Sequence, residues 1–134
     1  MNINKINEFI SVGAQITASE VKDVYALGYR SIICNRPDGE ADEQALFADI
    51  EHEAKAVGIE ICYLPVRSGM MNDENVQDFG KAIEELPKPI FAYCRSGTRC
   101  ATLWALSALK THSVEDIITA TAQAGYNMSG ILKG

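Results

Sequence analysis

The sequence predicts an α/β fold in which a mostly parallel sheet of four to five strands carries helices on both faces. Two observations predict it. Short apolar segments alternate along the chain with amphipathic segments of helical period. One apolar segment, PIFAYC (89–94), contains no charged or strongly polar residue, which is typical of a central strand covered on both sides. Strands and helices in this alternation pack as layers around one sheet.

The first half of the chain contains two strands and two helices in alternation. Residues 9–16 have the pattern of a strand, and Ser19 is a suitable N-cap for a helix that Gly28 ends. The apolar segment 29–35 predicts a second, buried strand. After a loop that carries Pro and Gly, residues 43–58 predict an amphipathic helix.

The second half repeats this alternation and ends in two helices. Residues 59–66 predict a strand, and 74–87 predict a helix that a proline closes. The apolar strand 89–94 follows, and the helix 98–110 begins directly after it. Ser113 is a suitable N-cap for the last helix. The sequence therefore predicts the order βαβαβαβαα.

Bulk composition limits the class of protein. A chain of 134 residues is the size of one ordinary domain, so we expect a single domain over 1–134. The net charge of −6 argues against a nucleic-acid or membrane-surface binder. The chain has neither an apolar stretch long enough to span a membrane nor the layout of a signal peptide, so we expect a cytoplasmic protein.

The four cysteines do not form a recognisable metal or disulfide pattern. The sequence contains no CxxC pair, and His52 and His112 lie far from every cysteine. We therefore expect reduced thiols and no metal site.

The segment CRSGTR (94–99) is the strongest indication of function. It joins the end of the central strand to the start of a helix, where open α/β sheets bind ligands and where backbone N–H groups lack partners. Gly97 allows a tight turn, so that these groups converge on an anion. A thiol placed there beside arginines is expected to have a lowered pKa, which predicts Cys94 as a nucleophile. Arg99 is predicted to bind an oxyanion with its planar fork. The remaining residues of this predicted anion-binding loop are Arg95, Ser96, Gly97, Thr98 and Cys100.

With these residues, the chain resembles the cysteine-dependent protein tyrosine and dual-specificity phosphatase superfamily. It is most similar to a small bacterial phosphatase-like family, formerly a domain of unknown function, that also occurs fused to metallo-β-lactamase-type hydrolases. The matching segments are ISVGAQIT, IICNRPDGE, YLPVRSG, AYCRSGTRCATLWAL and AGYN. The resemblance implies a dual-specificity phosphatase-like fold, a small anionic or phosphorylated substrate, a cysteinyl-phosphate intermediate and no cofactor.

The loop departs from the phosphatase pattern in two ways, in the residue before the cysteine and in the spacing to the arginine. Tyr93 replaces the usual histidine, only four residues separate Cys94 from Arg99, and Cys100 stands where the usual arginine would be. The shorter loop is also similar to that of rhodanese-type sulfurtransferases. Three hypotheses therefore remain: a phosphatase, a sulfurtransferase that uses a Cys94 persulfide, and an anion-binding or redox module without turnover.

Other polar residues are candidates for supporting roles. A phosphatase needs an acid to protonate the leaving group, and Asp73 is the candidate, although Asn72 or Asp73 is equally suited to cap the helix that follows. Arg36 is a candidate substrate contact. Asp38 is predicted to contact substrate, orient Arg99 or act as an alternative acid.

Two further cysteines are candidates for redox chemistry. Cys34 ends the second predicted strand, and Cys100 lies six residues after Cys94. Either one is a candidate partner for a reversible disulfide with Cys94 after oxidation.

Overall fold

The computed structural model describes residues 1–132, in which five strands form one sheet. The strands are β1 (Ile3–Lys5), β2 (Ile10–Gly13), β3 (Ser31–Cys34), β4 (Glu60–Tyr63) and β5 (Ile90–Tyr93). Their order in space is β1-β2-β5-β3-β4. Strand β1 is antiparallel to β2, and all the other pairs are parallel. The predicted α/β class and the central position of the PIFAYC strand are confirmed.

The helices connect these strands and cover both faces of the sheet. They are α1 (Val21–Ala26), α2 (Phe47–Val57), α3 (Asp73–Glu85), α4 (Thr98–Ala108), α5 (Val114–Gln123) and α6 (Ser129–Leu132). Strand β1 and helix α6 were not predicted, because elements of three and four residues are too short to show a period. None of the helices within 1–132 is long and apolar enough to cross a bilayer.

Two helix starts differ from the prediction for identifiable reasons. Helix α1 follows a 3₁₀ turn, and the Thr17 N–H donates to the Glu20 carboxylate at 2.9 Å, so Thr17 rather than Ser19 begins this helical segment. Helix α2 begins at Phe47, not at residue 43, because the Phe47 N–H is capped by the Asp38 carboxylate at 2.9 Å. By contrast, Ser113 caps α5 as predicted, accepting a hydrogen bond from the Asp116 N–H at 3.1 Å.

The sheet separates two apolar clusters. Successive side chains of a strand point to opposite faces, so Ala92 and Cys94 pack against α3, α4 and α5. Tyr93 and Cys34 pack on the other face, against α1 and α2. Tyr93 is 1% exposed and is therefore a core residue.

The carboxyl ends of the parallel strands meet at one edge of the sheet. The loops that leave this edge are 94–97 after β5, 35–46 after β3 and 64–72 after β4. The loops after β5 and β3 contain residues predicted to act on a substrate, and the predicted acid Asp73 directly follows the loop after β4. This edge is therefore where the candidate site is assembled.

Candidate active site

The loop after β5 wraps its backbone around the Cys94 sulfur. Cys94 is 1% exposed, and its own N–H donates to the Gly13 carbonyl at 3.2 Å. Gly97 adopts a φ of 94°, a left-handed conformation that favours glycine, and so turns the chain into α4. In this conformation the Gly97 N–H donates to the Cys94 sulfur at 3.1 Å. The loop thus presents a buried sulfur to converging backbone donors.

The hydrogen bonds around Cys94 favour its thiolate. The pKa of Cys94 is lowered from 9.0 to about 5, first by a hydrogen bond with the Cys100 side chain and then by the N–H groups of Cys100, Ser96 and Gly97, against the opposing effect of burial. The pKa of Cys100 is raised well above its usual value, first by burial. At neutral pH, Cys94 is therefore the thiolate and Cys100 remains a thiol that can donate to it.

The Arg99 guanidinium is held by three hydrogen bonds that leave one edge open. Its Nη1 and Nη2 donate to the two Glu40 carboxylate oxygens at 2.8 Å each, and Nη1 also donates to the Val66 carbonyl at 2.9 Å. A guanidinium has five N–H bonds, so Nε–H and one Nη2–H remain. These two are parallel and have the fork geometry that suits bidentate binding of an oxyanion.

Glu40 connects Arg99 to a second arginine. Its Oε1 lies 3.0 Å from Nε of Arg36, and Nη1 of Arg36 donates to the Gln15 side chain at 3.2 Å. The pKa of Glu40 is lowered, first by the Arg99 hydrogen bond, so the carboxylate stays ionised. Arg36 is buried, at 6% exposed, so the ion pair with Glu40 is shielded from water on the Arg36 side.

Glu40 was not predicted from the sequence, although two signals were present. It lies four residues after Arg36, at a spacing that allows contact, and its loop leaves the same edge of the sheet as Arg99. The pairing of Glu40 with Arg99 could not be predicted from the sequence, because the two residues are 59 positions apart and come together only through the order of the strands.

The structure corrects the predicted roles of Arg36 and Asp38. Arg36 donates to Glu40 and does not line the cavity that is formed by Arg95, Ser96, Thr98 and Arg99. Asp38 does not contact Arg99, because its carboxylate accepts from the Phe47 N–H, and its own N–H donates to the Tyr63 hydroxyl at 2.9 Å. The carboxylate that orients Arg99 is Glu40.

A cavity of about 570 Å³ opens over the loop. It is lined by Ser68, Gly69, Met71, Arg95, Ser96, Thr98, Arg99 and Thr102. The charged side chains in this lining are both arginines, and the Ser96 and Thr98 hydroxyls brace each other at 3.2 Å. The cavity therefore attracts an anion, although the chain as a whole carries a net charge of −6.

Asp73, the predicted acid, is not brought into this cavity. It is exposed at the first position of α3. The cap of α3 is Asn72, whose side chain and backbone N–H exchange hydrogen bonds with Asn75 at 2.9 Å. No carboxylate occurs in the described lining of the cavity.

The arrangement suits thiolate chemistry rather than metal chemistry. Within 1–132, no cluster of three His, Cys, Asp or Glu side chains is placed to hold a metal ion. None of the four cysteines, which all lie in the described part of the chain, forms a disulfide. A buried thiolate, backbone donors and an oriented arginine together can attack and stabilise an oxyanion or sulfane-sulfur group.

The sequence matches a known family over most of its length. The model of the phosphatase-like domain of beta-lactamase hydrolase-like proteins matches residues 2–111. The beta-lactamase hydrolase-like protein of Agrobacterium fabrum is 31% identical over 106 residues, which are 79% of this chain and 25% of that protein. The protein of the same name from Xylella fastidiosa is 34% identical over 107 residues, 80% of this chain and 25% of that protein. The chain thus spans about a quarter of the length of these relatives.

Solved structures agree with this match. A candidate phosphatase from Neisseria meningitidis superposes with a TM-score of 0.86 at 32% identity, covering 99% of this chain and 95% of the other. PTPMT1 superposes with a TM-score of 0.73 at 20% identity, covering 95% of this chain and 85% of the other, which shows a shared fold. The fold is that of the tyrosine and dual-specificity phosphatase superfamily.

Proposed function

The chain belongs to the family of the phosphatase-like domain of beta-lactamase hydrolase-like proteins, and we propose that it hydrolyses phosphate esters through a cysteinyl-phosphate. The observation that carries the proposal is the Cys94 sulfur, hydrogen-bonded by the Gly97 N–H at 3.1 Å and with its pKa lowered to about 5. A thiolate at neutral pH needs no general base before it attacks.

In the proposed reaction, the Cys94 sulfur attacks phosphorus and forms a P–S bond while the ester P–O bond breaks. The leaving oxygen takes a proton from water, and the hydroxide that remains later takes the proton that the second water loses. A second water then attacks phosphorus, the P–S bond breaks, and phosphate and the thiolate are released. The open fork of Arg99 and the N–H groups of the loop stabilise the equatorial oxygens in both steps.

The charges of the cavity favour a small dianionic substrate. Arg99 is partly neutralised by Glu40, whereas the exposed Arg95 side chain forms no hydrogen bond or ion pair with any residue of 1–132. Arg95 is therefore available for a second anionic group of the substrate. We expect a phosphate ester with a neighbouring carboxylate or phosphate to be a better substrate than a neutral alkyl phosphate.

A second candidate function is sulfur transfer, and the lack of a carboxylate in the described cavity lining favours it. The Cys94 thiolate would attack the sulfane sulfur of thiosulfate, whose S–S bond breaks to release sulfite and leave a Cys94 persulfide. Cyanide or a thiol would then take the outer sulfur and restore the thiolate. Neither step needs an acid for an alkoxide leaving group.

The two functions are separated by assaying wild type, Cys94→Ser and Cys62→Ser with two substrates. Cys62→Ser is the matched control, because Cys62 lies in β4, outside the loop 94–99. We expect p-nitrophenyl phosphate hydrolysis in wild type and Cys62→Ser, and none in Cys94→Ser, which should still bind phosphate. Thiocyanate formation from thiosulfate and cyanide without phosphate release would replace the phosphatase by the sulfurtransferase. Phosphate release that persists in Cys94→Ser would refute the mechanism.

A further inference from the structure

Two distant segments of the chain meet behind the anion-binding loop. Tyr126, which follows α5, donates its hydroxyl hydrogen to the Ser96 carbonyl at 2.9 Å. Asn4, in β1, donates from Nδ2 to the same hydroxyl oxygen at 3.0 Å, and from Nδ2 to the Asn2 side chain at 2.7 Å. Because Asn4 is the donor in its contact with the Tyr126 hydroxyl oxygen, the hydroxyl hydrogen is left for the Ser96 carbonyl.

The Ser96 carbonyl belongs to the same peptide group as the Gly97 N–H. This peptide is trans, so its C=O and N–H point in opposite directions. Tyr126 binds its oxygen at 2.9 Å, and the Cys94 sulfur accepts from its nitrogen at 3.1 Å. The hydrogen bond at the carbonyl end also polarises the N–H that faces the sulfur.

This peptide needs an external constraint because it precedes a glycine. Glycine rotates between left-handed and right-handed regions at little cost, so the peptide before Gly97 is free to flip. A flip would turn the Ser96 carbonyl oxygen toward the thiolate and remove one of its donors. Tyr126 also packs against this position, since a Cβ added at Gly97 would overlap the Tyr126 hydroxyl.

We propose that Tyr126 is a positioning residue that locks the Ser96–Gly97 peptide with its N–H toward the Cys94 sulfur, and that Asn4 orients the Tyr126 hydroxyl for this purpose. The inference rests on Cys94 being the reacting group of the proposed function, and it applies to phosphorus and to sulfur chemistry alike.

The test is the pH profile of Cys94 alkylation by iodoacetamide in Tyr126→Phe. The titratable groups that interact electrostatically with Cys94 are Arg99, Cys100 and Tyr126 on its own side of the sheet and Cys34 on the opposite face. Substitution by phenylalanine removes a neutral hydroxyl and leaves the other three in place. We expect the alkylation midpoint to rise by up to about one pH unit, because a hydrogen bond to a charged group is weakened.

A matched variant controls for the loss of a tyrosine hydroxyl elsewhere. Tyr29 donates to the Ser11 hydroxyl at 2.7 Å and does not contact the loop, so Tyr29→Phe should keep the wild-type midpoint. Asn4→Ala should raise the midpoint in the same direction as Tyr126→Phe, by less. It also provides the readout if Tyr126→Phe fails to fold.

Two results would overturn the proposal. One is an unchanged, wild-type alkylation midpoint in folded Tyr126→Phe. If Tyr126→Phe does not fold, an unchanged midpoint in folded Asn4→Ala has the same meaning. The other is an equal rise in Tyr29→Phe. Alkylation reports on the Cys94 thiol whether or not a phosphate ester is turned over, so a failure of the phosphatase proposal would not be mistaken for either result.

Discussion

Replacing Cys100 with alanine removes the largest single cause of the low Cys94 pKa. A hydrogen bond with the Cys100 side chain is the first cause of the lowered Cys94 pKa, and Cys100 is itself fully buried, with its pKa raised. Alanine keeps the backbone N–H of residue 100, so the substitution isolates the side-chain hydrogen bond. Cys100→Ser is the matched control, since its hydroxyl can donate from the same position.

The expected size follows from the strength of the lost bond. A hydrogen bond to a charged group contributes about 1.5–3 kcal/mol, and about 1.4 kcal/mol corresponds to one pKa unit. The pKa of Cys94 should therefore rise from about 5 to about 6 or 7 in Cys100→Ala. At pH 5 the thiolate fraction would fall from about a half to between about 9% and 1%, which is about 5- to 50-fold.

The assay is the rate of iodoacetamide alkylation of Cys94 between pH 4 and pH 9, measured by mass spectrometry. Each profile is divided by its own plateau above pH 8, because a thiolate of higher pKa is intrinsically more nucleophilic. Circular dichroism checks that each variant is folded. Coincident midpoints for Cys100→Ala, Cys100→Ser and wild type would refute the assignment of Cys100 as the donor.

Three further predictions concern the same loop and its surroundings. Glu40→Gln should lower kcat/KM about 10²-fold and weaken competitive inhibition by phosphate, because Arg99 loses the carboxylate charge that orients it. Unchanged inhibition by phosphate would show that Glu40 does not orient Arg99. Asp73→Asn should change p-nitrophenyl phosphate hydrolysis less than about threefold, whereas a loss of about 10²-fold would return Asp73 to the role of acid. Peroxide should oxidise Cys94 to the sulfenic acid, which the Cys100 sulfur then attacks with loss of water. Peptide mapping should find a Cys94–Cys100 disulfide that dithiothreitol reduces. Finding only sulfinic or sulfonic Cys94 would contradict this prediction.

The choice of Cys100 over Cys34 as the redox partner comes from the sheet. Cys94 and Cys100 belong to the apolar cluster on one face, whereas Cys34 packs in the cluster on the other face and donates to the Arg36 carbonyl at 3.3 Å. The sequence alone did not decide between Cys34 and Cys100 as the disulfide partner, because it does not show which of them lies on the same face of the sheet as Cys94.

The sequence predicted those features that depend on neighbouring residues. The apolar segment 89–94 indicated a central strand, Gly58 marked the end of α2, and Ser113 marked the start of α5. Each of these signals acts within a few residues of its effect. The position of the loop at the end of β5 followed from the same local pattern.

The sequence did not predict contacts between residues far apart in the chain. Glu40 and Arg99 are 59 residues apart, and Tyr126 and Ser96 are 30 apart. Asp38 caps Phe47 from a distance of nine residues, which lies beyond the range of ordinary capping patterns. These pairings depend on the order of the strands in the sheet, which the pattern of apolar residues leaves undetermined.

The donors that surround the Cys94 sulfur include main-chain N–H groups. The reactivity of the thiolate therefore depends partly on the backbone, whereas recognition of a substrate depends on the side chains of the same loop. Ser96 supplies a backbone donor to the sulfur while its side chain, with those of Arg95 and Thr98, lines the cavity. Substitutions at 95, 96 and 98 can therefore exchange the groups that meet a substrate while the thiolate keeps its environment. A library randomised at these three positions would explore new substrates on an unchanged reactive centre, which makes this loop a suitable starting point for directed evolution.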